Sequence, residues 1–241
     1  MLPEALDRQR FFHSFRIATF FVIAIWLIHI LNLSLDLELR RYGVLPLTVE
    51  GLKGIFFSPF IHSTSRWTHI INNSPPLFFG LLILFYFYKS VANRTLLFIY
   101  LFTGSIVWIV GKQYAFHIGA SGVVYGLIGF IFFSGIFRRN IRAVILALIM
   151  ILMYSGMVVG LFPDAEGRVS HESHISGAIV GAFLAFQYRN ILEPDELQRF
   201  EKEEIIDTEK EHYLPSDTFD KTKDEREAED ENDGFWTSDW T

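Results

Sequence analysis

The chain has 241 residues, of which 51% are hydrophobic and 16% aromatic, a composition that places it among membrane proteins before any motif is read. Its formal net charge of −6 averages a basic, apolar body of 192 residues and an acidic tail, Glu193 to Thr241, with 19 acidic against 6 basic side chains; neither part suggests a nucleic-acid partner. The lack of any Cys excludes disulfides, thiolate nucleophiles and Cys-built metal sites.

The N-terminal segment, 1–16, carries Arg8, Arg10 and Arg16. No small-residue cleavage site follows the apolar run after it, which predicts a retained first span and no removed signal peptide. Crossing roughly 30 Å of hydrocarbon takes about 20 mostly apolar residues. Six segments approach that length: Ile17–Leu35, Ile70–Tyr88, Leu96–Val110, Gly119–Phe137, Ala143–Phe162 and Ile175–Tyr188. Between the first two, Asp36 to Thr68 contains GLKGIFFSPFIH, too short to span and punctuated by Pro and Gly, hence an interfacial or re-entrant segment. The expected fold is all-α, a polytopic bundle of six transmembrane helices over 17–190. An acidic tail, 191–241, follows, read as a short amphipathic helix and then disorder, with no room for a second folded domain. Lys89, Arg94, Arg138, Arg139, Arg142, Arg189 and the basic N-terminus share one side, which predicts that this side, with both termini and the tail, is cytosolic. The opposite loops hold Arg40, Arg41, Lys53, Arg66, Lys112 and Arg168, mostly in the one long connection.

Polar residues at membrane depth are costly and point to function. His69, Asn73, Ser121 and His174 fall in or beside the first turns of spans two, four and six, all on the non-cytosolic side. Ser121 lies in HIGASGVVYGLIGF, where Gly119, Gly122, Gly126 and Gly129 thin the helix; His174 lies in SHISGAIVGAF, where Gly177 and Gly181 make a matching small face. Packing of the two faces brings Ser121 and His174 within hydrogen-bonding reach, the arrangement in which an imidazole takes the proton of an attacking hydroxyl and returns it to the leaving amine. A helix starting at the nucleophile also directs its N-terminal dipole at developing negative charge. His69 and Asn73, four apart on one helical face, can donate to a tetrahedral oxyanion. Tyr125, one turn after Ser121, can brace the His174 ring. No carboxylate is placed to orient the histidine, so the expected unit is a dyad.

Each of these residues has a plainer reading. Gly and Ser pack membrane helices routinely, an Asn can bridge two helices, and a histidine at a membrane boundary can be interfacial. Convergence of four polar groups from three distant segments at one depth favours the chemical reading. In His171-Glu172-Ser173-His174 the two histidines are three apart, whereas the helical zinc motif needs them four apart, so no metal is expected. His29 and His117 have no evident partner and read as packing or interfacial residues, and Pro75 and Pro76 are tolerable near the start of the second span.

GASG at Gly119 to Gly122, HIINN from His69 to Asn73, and SHISGAIVG in the sixth span resemble, in this order, the rhomboid family of intramembrane serine proteases, over roughly Leu31 to Phe186. The likeness is closest to the minimal six-span bacterial form. It implies Ser121 as nucleophile, His174 as base, His69 and Asn73 as oxyanion donors and Tyr125 as the ring stacked on the histidine. It further implies cleavage of transmembrane protein substrates near the outer face of the membrane, in contact with lipid, without metal or cofactor, and a location in a bacterial plasma membrane. The sequence departs from the family's pattern in lacking a Trp-Arg pair in the long connection and in placing His62 seven residues before His69, where many relatives have five. A silent relative that only binds membrane clients is the alternative; loss of Ser121 or His174 would mark it, and both are present. A channel or transporter would carry charged residues through the inner half, and none are seen there.

Overall fold

The computed structural model describes residues 2–153, 156–163, 170–194, 197, 220–225 and 228. The chain divides into two compact units, Met1–Glu193 and Pro194–Thr241. The first holds six principal helices: α1 (Leu2–Leu35), α2 (Trp67–Phe87), α3 (Ala92–Val110), α4 (Ser121–Phe137), α5 (Ile141–Met153) and α6 (His171–Gln187). A short helical turn, Gly156–Val159, follows α5, and no strand occurs among the described residues. In the second unit, Thr222 donates through its amide and hydroxyl to Glu225, each at 2.8 Å, at the start of one helical turn. The amphipathic helix and disorder expected for the tail lie almost wholly outside the described residues.

Among the described residues three helices are long and apolar enough to cross a bilayer: α1 from Ala5, α2 and α3. The other three are shorter. α1 runs 34 residues, 15 residues upstream of the expected start of its span; Pro3 is compatible with a first helical turn, and no later Pro or Gly interrupts the run. It stops at Asp36, whose φ of 49° is the left-handed conformation in which helices commonly end. α2 keeps Pro75 and Pro76 in its interior, where each lacks an amide donor. Ser74 compensates: its hydroxyl donates to Ile70 O at 2.8 Å and accepts the indole N–H of Trp26 on α1 at 2.9 Å, so the weakened turn is tied to a neighbouring helix.

α4 is apolar on all sides and buried along nearly its whole length, as expected of a core helix. It packs most extensively on α6 and also meets α2, α3 and α5. At 17 residues it is about 26 Å long, short of a full hydrocarbon crossing. Its contact with α6 depends on missing side chains. A Cβ on Gly177 would overlap the Gly122 carbonyl, one on Gly181 the Gly126 carbonyl, and one on Gly129 would lie 2.9 Å from Ala178 O. Backbones therefore touch where the sequence offers only hydrogen atoms.

The connection from α1 to α2 folds into three 3-10 turns and the short helix Gly54–Phe57. It exposes Leu47, Val49, Leu52, Phe56 and Phe57, an apolar surface suited to a lipid interface. Inward, Val44 pairs with His117 in an isolated antiparallel bridge, N to O in both directions at 3.0 and 2.8 Å.

Candidate functional site

Ser121 is the first residue of α4 and half-buried. The helix has Ala120 as N-cap and no side-chain cap, so the amides of its first turn, those of Ser121 and Gly122 among them, lack the intrahelical partners that later residues have. Just upstream the backbone is held from two sides: Gly119 N donates to Ser58 O at 2.9 Å, and Ala120 N donates to His62 Nε2 at 3.3 Å. Gly119 adopts φ +114°, a conformation that favours glycine. It precedes the helix, whereas the sequence pattern placed it inside. The space a side chain would occupy there is filled by His69, whose Nε2 lies 2.6 Å from the ideal Cβ position.

His174 sits in the first turn of α6, buried, with its ring stacked on Tyr125 at 4.1 Å between centroids and 10° between planes. Tyr125 lies one turn after Ser121 on α4, so the imidazole is held beside the start of that helix. His174 Nδ1 is 2.7 Å from Gly160 O. A carbonyl can only accept, so Nδ1 carries the proton and Nε2 of the neutral ring is left as a base. Ser121 Oγ makes no hydrogen bond among the described residues, and the hydroxyl–imidazole bond is not closed in this structure; such bonds are often long in unliganded sites and shorten around substrate.

His69 is fixed by the same logic in the opposite sense. Its Nδ1 accepts the Ser63 amide at 3.4 Å, which leaves Nε2 as the N–H donor, directed at the backbone before Ser121. Asn73 is buried, and its Nδ2 donates to His69 O at 2.8 Å. An amide NH2 has two hydrogens; one is used to hold the helix turn that carries His69.

Two histidines given no role by sequence reasoning join this site. His62, buried, accepts the Ala120 amide and lies 5.0 Å from the His69 ring. His117, also buried, bridges Ser170 Oγ (2.6 Å from Nδ1) and Lys112 O (3.1 Å from Nε2), which corrects the expectation that it lacks a partner. Burial lowers its pKa and keeps the ring neutral. One signal was available: His117 stands four residues before Ser121 and Ser170 four before His174. His29 is buried with neither ring nitrogen hydrogen-bonded, edge-on to Trp67 at 5.1 Å, and is a packing residue.

Beside the site opens a cavity of about 890 Å³, lined by His62, Ser63, His69, His117, Ser170 and charged residues that include Arg40, Arg66, Lys112 and Glu172. Among the described residues no cluster of His, Asp and Glu is arranged to hold a metal ion.

A bundle of apolar helices around a short buried core helix, with histidines, an asparagine and a serine gathered at one end, defines a polytopic integral membrane protein. A model of the rhomboid domain matches residues 50–191, and the chain belongs to the rhomboid family, most of whose members are intramembrane serine proteases. It is also similar to uncharacterized proteins of Mycobacterium bovis and Mycobacterium tuberculosis, each 29% identical over 174 residues, covering 69% of this chain and 71% of the relative. An uncharacterized protein of Mycobacterium leprae is 28% identical over the same length, covering 69% of this chain and 68% of that one.

Proposed function

We propose that this protein is an intramembrane serine endopeptidase that cleaves peptide bonds in or near the transmembrane segments of membrane proteins through a Ser121–His174 dyad. The observation that carries the reading is the state of His174: its Nδ1–H is committed to Gly160 O and its ring is stacked on Tyr125, the residue one helical turn after Ser121, which leaves Nε2 bare. Nε2 takes the Ser121 proton as Oγ attacks the scissile carbonyl. The developing oxyanion is met by the N–H of His69 Nε2, the second N–H of Asn73 and the free amides of the first turn of α4. Collapse breaks the C–N bond, His174 returns its proton to the leaving amine, and an acyl-enzyme on Ser121 remains. Water from the polar cavity hydrolyses it by the same proton transfers.

The cavity end faces outward in this reading and both termini are cytosolic, on the distribution of Lys and Arg; a bacterial plasma membrane is the location that the family resemblance implies. Tyr114, 96% exposed at that end, tests the orientation: in this chain without native Cys, Tyr114→Cys reacts with an impermeant thiol reagent added outside intact cells, and labelling only after lysis reverses it. The dyad is tested by an active-site serine reagent. A fluorophosphonate labels Ser121 in the purified protein, and His174→Ala abolishes the labelling while the protein stays folded; equal labelling of His174→Ala removes the histidine from the mechanism.

A further inference from the structure

Outside the Ser121–His174 pair, the two segments that carry those residues are joined by a second histidine–serine contact one turn upstream. His117 Nδ1 is 2.6 Å from Ser170 Oγ. Its Nε2 is 3.1 Å from Lys112 O, an oxygen that can only accept, so Nε2–H donates and the bare Nδ1 accepts the Ser170 hydroxyl proton, for which it lies nearer than the other acceptor, Glu172 Oε2 at 3.4 Å. The ring is buried, and a Cβ on Gly111 would come within 3.0 Å of Nε2, so it has one place to sit. Its backbone is fixed as well, paired in both directions with Val44.

Ser170 is equally committed. As the N-cap of α6 it accepts the Ser173 amide on its hydroxyl at 3.3 Å, and its carbonyl accepts the amide of His174 itself at 3.3 Å. One residue therefore holds His117 by its side chain and His174 by its backbone. From His117 only three residues lead to Ser121. The glycine faces of α4 and α6 fix how close the two helices lie, but backbone contacts between glycines carry no side chain that fixes how far one helix slides along the other.

We propose that His117 and Ser170 are positioning residues, a hydrogen-bonded latch that sets the axial register of α4 against α6 and so holds Ser121 Oγ level with His174 Nε2. The proposal rests on the dyad reading above. A misplacement of about 1 Å between reacting groups can cost a hundredfold in rate, and the latch bears on that distance without touching substrate.

The test is a double-mutant cycle on the full chain in detergent, read twice. His117→Ala, Ser170→Ala and the double variant are measured for melting temperature in a Ser121→Ala background, and for kcat and KM on a model transmembrane substrate in the otherwise native chain. The expected result has three parts. The melting shifts of the two singles sum to more than that of the double. Each single lowers kcat at least tenfold with KM changed less than twofold, and the double is no worse than the poorer single. His117→Asn, which retains an acceptor near the position of Nδ1, recovers most of the lost kcat. Additive melting shifts overturn the latch as a contact. Coupled melting shifts with kcat unchanged, or with no recovery by His117→Asn, overturn its positioning role. If the native chain cleaves nothing while the melting shifts remain coupled, the dyad reading fails and the positioning role falls with it, but the contact stands.

Discussion

At the scale of single residues, the hydrogen-bond partners of the histidines assign their tautomers, and the proposed mechanism rests on those tautomers. His174 gives its Nδ1 proton to Gly160 O and keeps a basic Nε2, whereas His69 receives the Ser63 amide on Nδ1 and keeps a donating Nε2. Two imidazoles at one site are thereby set to opposite tasks. Asn73 is more divided in the proposed mechanism, since one amide hydrogen holds His69 O and the second is the one proposed to meet the oxyanion. The two uses separate in kinetics. Loss of one oxyanion donor typically costs about 10²- to 10³-fold in kcat, and the donor meets its partner only as charge develops, so Asn73→Ala lowers kcat on that scale with KM nearly unchanged. A drop in melting temperature with kcat intact would make Asn73 a structural residue of α2 alone.

At the scale of elements, the six apolar segments were legible because hydrophobic length is a strong signal. Their ends were less so. α1 begins 15 residues before its span, because nothing in 2–16 breaks a helix, and the fifth segment is helical from Ile141, two residues before its expected start. The glycine spacing in GASGVVYG and SHISGAIVG foretold a close pair of helices, and α4 and α6 meet through those glycines. His62 and His117 were barely legible, because their partners, the Ala120 amide and Ser170 Oγ, lie 58 and 53 residues away, and the shared four-residue offset of His117 from Ser121 and of Ser170 from His174 is the one local trace of the second contact. The glycine contact carries its own prediction. A methyl at position 177 collides with the Gly122 carbonyl, a backbone atom that cannot turn aside, so Gly177→Ala costs about 1–3 kcal/mol through overpacking. The same change also separates His174 from α4. Melting and activity therefore fall together; a Gly177→Ala protein that melts as the native chain does would refute the backbone contact.

At the scale of the molecule, helix length and site depth are one fact. α4 is short and central, its first residue is Ser121, and the cavity of about 890 Å³ opens beside that end. In the proposed reading, a helix too short to cross has its N-terminus below the membrane surface with space above it for water, which is what hydrolysis inside a bilayer requires. Chemistry that depends on a polar, hydrated end needs an apolar collar to hold it at that depth, and α1, α2 and α3 supply that length. The central claim is that this arrangement cuts peptide bonds with Ser121. Its most direct measurement is incubation of the purified protein, and of its Ser121→Ala variant, with a single-span membrane protein in detergent or liposomes, the products identified by mass spectrometry. The native chain is expected to yield fragments cut in or beside the transmembrane segment, and Ser121→Ala, equally folded, to yield them at a rate lower by orders of magnitude. Equal cleavage by the two proteins, or none by either across several substrates that the native chain demonstrably binds, would contradict the account and leave a membrane protein that holds its clients without cutting them.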